Sequence, residues 1–147
     1  MTAKKYLQKA YELDREANML VLKAAAIRQR LYGRGQMEGN GGTSHTGDSL
    51  GATVAAVIDY EKEVDATIAQ LVEKWLRIER TIKAVRDPVE REVLERRYLM
   101  YQPFESGYDK RSGEYIIGIA ESLGYCERQI YRIHGAALKH IDVSECQ

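Results

Sequence analysis

Apolar and small side chains recur at alternating steps of four and three along the first part of the chain: Tyr6, Ala10, Leu13, Ala17, Leu20, Ala24, Ile27 and Leu31. This is a heptad seam, and it predicts one continuous helix over residues 2–32, ~45 Å long at 1.5 Å per residue. No glycine or proline interrupts residues 2–31. Tyr11 and Val21 flank the seam and are expected to widen it. The same spacing returns at Val57, Val64, Ile68, Leu71, Trp75, Ile78, Ile82 and Val85, with Glu61 at the position where an apolar residue is skipped. A second helix of similar length is therefore expected over about residues 51–85. Neither stripe can be buried alone. An antiparallel helical hairpin within the chain satisfies both, and so does an intermolecular coiled coil through the same seams.

Between the two patterns lies GRGQMEGNGGTSHTGDSLG, with seven glycines in residues 33–51. Glycine loses the most backbone entropy on ordering, so a flexible linker is expected there. The pattern changes again at Asp87. In DPVE, Asp87 suits a helix N-cap, Pro88 the first turn, and Glu90 the third position of a capping box. The helix that follows, VEREVLERRYLM, should bury Val89, Val93, Leu94 and Tyr98. YQPFESGYDKRSGEY then breaks the periodicity, with DKRSG as an exposed turn. The expected organisation is thus a long helical hairpin over 1–86 and a second domain over 87–147.

The last patterned stretch, IIGIAESLGYCERQIYRIHGAALKHI, meets the packing demands of a helix-turn-helix. Ala120 is the small residue at the crossing, and Gly124 supplies a turn residue comfortable at positive φ. Ile119, Leu123, Tyr125, Ile130 and Ile133 fall on inner faces, and Ala137, Leu138 and Ile141 continue the inner face of the second helix. That helix starts at Cys126, a weak substitute for the Ser or Thr that usually caps. Its outer face presents Glu127, Arg128, Gln129, Tyr131, Arg132 and Lys139. Arginine matches guanine edges, glutamine adenine edges, and glutamate accepts from cytosine, so Arg128, Gln129 and Arg132 are the candidate base readers, with Glu127 beside them. His134 and Lys139 are expected to touch phosphate or nothing.

Charge restricts how such a helix would work. Lys+Arg and Asp+Glu balance at 22 each, so total charge supplies no pull toward a polyanion. Residues 126–141 nevertheless carry Arg128, Arg132 and Lys139 against Glu127 alone. Few phosphates would be neutralised, so weak non-specific affinity is expected, and a dimer or a partner already on DNA would be needed. Other chemistry is missing. His45, His134 and His140 have no metal-ligand spacing with Cys126 or Cys146, and no phosphate loop, dinucleotide motif or nucleophile elbow occurs, so neither an enzyme nor a cofactor is expected. The two cysteines form no disulfide framework and suit a reducing cytoplasm. The most apolar run, residues 19–27, is too short for a bilayer and contains Lys23, so no membrane partner is expected.

RDPVEREVLERRYL followed by IAESLGYCERQIYRIHGAALKHI resembles the region that reads the −35 promoter element in bacterial sigma-70-type factors, through the skeleton IA-x-x-LG-x-x-x-R-x-x-x-x-I-x-x-x-AL. The whole plan is similar to that of the phage-encoded late-operon transcription regulators of the RinA and ArpU type, in which a helical N-terminal part precedes a sigma-like C-terminal region. The likeness covers about residues 86–141, and the first 85 residues share only helicity. One departure stands out: Gln102 to Tyr115 intervene between the Arg-Tyr and Ile-Ala pairs, which the family joins by a short turn. The resemblance implies an all-α protein acting on promoter double-stranded DNA in a bacterial host cytoplasm. RNA polymerase and a second copy, joined through the N-terminal helices, are further candidate partners. A small terminase-like DNA-packaging protein and a polymerase-binding interaction module are the alternative readings.

Overall fold

The computed structural model describes residues 1–37 and 46–144, with side chains placed for 1–31 and 51–144. It is an all-α chain, 74% helix and 3% strand. The elements are α1 (Ala3–Met37), α2 (Thr46–Lys83), α3 (Pro88–Leu94) running on as a π-helical turn (Glu95–Leu99), β1 (Gly107–Tyr108), β2 (Tyr115–Ile116), α4 (Ile119–Leu123) and α5 (Glu127–Lys139). α1 and α2 extend into the two ends of the glycine-rich segment, and the remainder of that expected linker lies outside the described residues. No helix among the described residues is long and apolar enough to cross a membrane.

Two compact units divide the chain: Met1–Leu13 with Lys74–Gln147, and Asp14–Glu73. In the second unit α1 and α2 lie antiparallel within one chain. Val64 and Leu71 are buried on the seam, and Ala17, Leu20, Ala24, Ile27, Val57 and Ile68 are half-buried. Arg28 Nε meets Glu61 Oε1 at 3.0 Å. This accounts for the skipped apolar position at Glu61. So exposed a pair adds at most about 1 kcal/mol, and its main effect is to favour one register of the two helices. Val21 does not widen the seam; it is 52% exposed.

The first unit joins residues on both sides of Arg86. Its larger core brings Tyr6, Leu7 and Ala10 of α1 and Ile78, Ile82 and Val85 onto Leu94 and Tyr98, and onto Ala137 and Ile141. A smaller cluster holds Val93, Ile119, Ala120 and Ile130, with Phe104, Leu123, Tyr125 and Ile133 packed against it. The consecutive residues Val93 and Leu94 therefore face different clusters.

α3 starts as its sequence demands. Asp87 Oδ1 accepts from the Val89 and Glu90 backbone N–H groups at 2.8 and 3.0 Å, and Pro88 occupies the first turn. Glu90 does not complete a capping box; its Oε2 lies 2.6 Å from His140 Nδ1, joining the start of α3 to the end of α5. Arg91 donates to Val85 O from Nε and Nη2 at 3.1 and 3.0 Å, closing the end of the preceding helix.

The interruption at 102–115 is a short antiparallel ribbon, Gly107 facing Ile116 and Tyr108 facing Tyr115. Its turn is exposed, as expected. Asp109 Oδ1 accepts from Arg111 N at 2.9 Å, and Gly113 takes φ +71°.

Candidate nucleic-acid interface

α4 ends at Gly124, which adopts the left-handed conformation (φ 71°, ψ 27°) and donates its N–H to the carbonyls of Ala120 and Glu121. Gly124 has open space around it, so φ alone makes glycine favourable there. Gly118 is required for the opposite reason. A Cβ at Gly118 would strike the backbone of the 104–106 segment: the Glu105 carbonyl carbon, Ser106 N at 2.6 Å and Phe104 O at 2.8 Å. This close approach seats the segment against the start of α4. The contact is reinforced by Ile119 N–H donating to Pro103 O at 2.9 Å, Gly118 N–H to Ser106 Oγ at 2.8 Å, and a hydrogen bond from Ser106 Oγ to Glu121.

α5 is sorted by face. Ile130, His134, Ala137 and Ile141 point inward, with Ile133 and Leu138 half-buried. Glu127, Arg128, Gln129, Tyr131, Arg132 and Lys139 are all exposed. The six side chains are not equivalent. Arg128, Arg132 and Lys139 form no ion pair among the described residues. Gln129 is committed: its Oε1 accepts from Cys126 N–H at 3.2 Å, the reciprocal half of a capping box. A cysteine at the cap is tolerable because Gln129 reaches back to satisfy the backbone. Reading an adenine with both amide atoms would require Gln129 to release that bond. Tyr131 is also committed. Its hydroxyl donates to Glu105 Oε1 at 2.9 Å, which holds the phenol above its ordinary pKa, and its ring lies 5.0 Å from Phe104. Tyr131 thus fastens the 104–106 segment to the outer side of α5.

His134 is a correction to the sequence expectation. Its side chain is turned inward, away from the exposed face of α5. Its ring is 9% exposed, its Nε2 lies 2.9 Å from the Tyr98 hydroxyl, and it stacks on Tyr98 at 5.8 Å and edge-on to Phe104 at 4.8 Å. Burial, with Lys4 and Arg97 nearby, lowers its pKa from 6.5 to about 4. Burial likewise pushes the Tyr98 hydroxyl up. The sequence did carry the signal: positions 130, 134, 137 and 141 form one helical stripe that runs through His134.

No family model, curated protein or solved structure matches this chain.

Proposed function

We propose that the chain is a sequence-specific DNA-binding transcription regulator that reads duplex DNA with α5, in the manner of the phage late-operon regulators its C-terminal sequence resembles. The observation that carries this reading is the sorting of α5. One face is locked into the core behind a left-handed glycine turn. The other holds Arg128 and Arg132, both exposed and without a carboxylate partner among the described residues. Arg128 and Arg132 are the base readers, with Glu127 at the N-terminal end beside them. Lys139 reaches phosphate. Gln129 and Tyr131 act first as cap and fastener. Exposed apolar residues of the helical pair, Met19, Leu22 and Ile58, supply the contact for a second copy, and RNA polymerase is a further partner.

Selection of duplexes from a randomised library at low salt, using the full chain, tests the reading. The wild type enriches a defined motif. Arg132→Ala keeps weak binding but loses about 1–3 kcal/mol of discrimination at one base pair. A wild type that enriches nothing, or an Arg132→Ala protein with the same motif and the same discrimination, overturns the base-reading role. Light scattering of the same preparation separates a dimer from the ring of many subunits that DNA packaging would need.

A further inference from the structure

The first unit contains a cleft of about 510 Å³ that DNA reading does not use, lined by residues that include Lys4, Tyr11, Arg97, Tyr101, Phe104 and His134. Three features of this cleft belong together. Its walls are aromatic: Tyr11 packs edge-on against Tyr101 with ring centres 5.1 Å apart, and Phe104 stands edge-on to His134. Tyr11, expected beside the heptad seam, is instead committed to this wall.

The second feature is charge. Arg97 is half-buried, its guanidinium 4.5 Å above the Phe104 ring, and one of its five donors reaches Gln102 O at 3.3 Å. It has no carboxylate partner among the described residues. Partly buried cations normally have one. Lys4 also lines the cleft, and the one carboxylate in the lining is the exposed Glu12. The neutral His134 contributes no charge at pH 7.

The third feature is how the backbone places these groups. Arg97 and Tyr98 sit in the π-helical turn Glu95–Leu99, and Tyr101 takes φ +57°, a conformation uncommon for a tyrosine. Tyr101 is held there by its hydroxyl donating to Ala10 O at 3.3 Å. Arg97 and Tyr98, four and three positions before Tyr101, line the one cleft with it from this irregular stretch.

We infer that this cleft binds a small planar aromatic anion, its ring against Tyr11, Tyr101 and Phe104 and its acid group on Arg97 and Lys4. The volume falls within the range of ordinary small-ligand sites, and aromatic walls with a few placed charges are their usual lining. The site is independent of DNA reading, since it uses none of the exposed residues of α5.

Titration of the full-length protein followed by amide NMR tests the site with salicylate, indole-3-acetate and AMP as probes and benzyl alcohol as the neutral control. At least one anionic probe is expected to saturate with a Kd below about 1 mM, shifting amides of residues 97–104 and of the first turns of α1. The carboxylate and phosphate probes show which acid group is preferred. Lys4→Ala and Tyr11→Ala, both at exposed positions, should each weaken binding about fivefold or more without changing the thermal midpoint by more than a few degrees. Absence of saturation by every anionic probe up to about 10 mM overturns the proposal. So does equal binding of benzyl alcohol, or affinity unchanged in both variants.

Discussion

Lowering the pH should destabilise the first unit through the buried ring of His134. In the unfolded chain this imidazole takes up a proton as pH falls through 6.5, whereas the folded ring, enclosed by Tyr98 and Phe104, stays neutral until about 4. Between those values the unfolded state binds more protons, so stability declines as pH falls and levels off below about 4. At pH 4.5 the loss works out at about 2.5 kcal/mol relative to pH 7, taking roughly 1.4 kcal/mol per pH unit. Other groups in the chain also take up protons over this range. Their contribution cancels in a comparison with His134→Gln, which keeps an acceptor for the Tyr98 hydroxyl but cannot titrate. Urea unfolding followed by the fluorescence of Trp75, which packs against the larger core, reports this unit. Between pH 7 and 4.5 the wild type should lose about 2–3 kcal/mol more than the variant. Parallel pH profiles would mean that the ring protonates normally in the fold, and the account of a buried neutral histidine would be wrong.

Three further outcomes follow from particular contacts. Gly118→Ala drives a Cβ into backbone that cannot move independently, so it should cost about 3 kcal/mol or more, whereas Gly124→Ala, strained only in φ, should cost about 1 kcal/mol; urea midpoints rank the two. Leu7→Ala should lose about 2–5 kcal/mol in the same measurement although Leu7 lies off the heptad seam, because it is fully enclosed. Gln129→Glu retains an acceptor for Cys126 N–H and removes the amide donors. Stability should hold within about 0.5 kcal/mol, and unchanged duplex preference would confine Gln129 to capping.

Much of this architecture is legible in the residue pattern, and the exceptions have physical causes. The two seams can be read because every third or fourth residue meets the same neighbour for many turns, and even the break at Glu61 has its counterpart in Arg28. The turn at Gly124 and the inner face of α4 and α5 are local, and each demand names a residue type. Leu7 escaped because it lies between the seam positions Tyr6 and Ala10. It is buried by long-range packing at the base of α1, which heptad spacing cannot reveal. His134 was placed outside on chemical type, although the helical stripe through it pointed inward. The π-helical turn leaves no mark in ERRYL, and a ribbon of two-residue strands is too short for alternation to show. Among the six outer residues of α5, position identified exposure correctly. It could not show that Gln129 and Tyr131 already hold partners, because the cap and the Glu105 contact depend on side-chain direction.

The adjacency of Val93 and Leu94 reaches beyond their own burial. One turn of α3 is shared property: Val93 meets α4 and Ile130 of α5, while Leu94 belongs to the core formed by the roots of α1 and α2 with Ala137 of α5. A fragment cut at Asp87 would leave Leu94, Tyr98, Ala137 and Ile141 facing water where Leu7, Ile78 and Ile82 had stood. The arginine-bearing helix is therefore not a detachable cassette; its posture is underwritten by residues more than a hundred positions earlier in the chain.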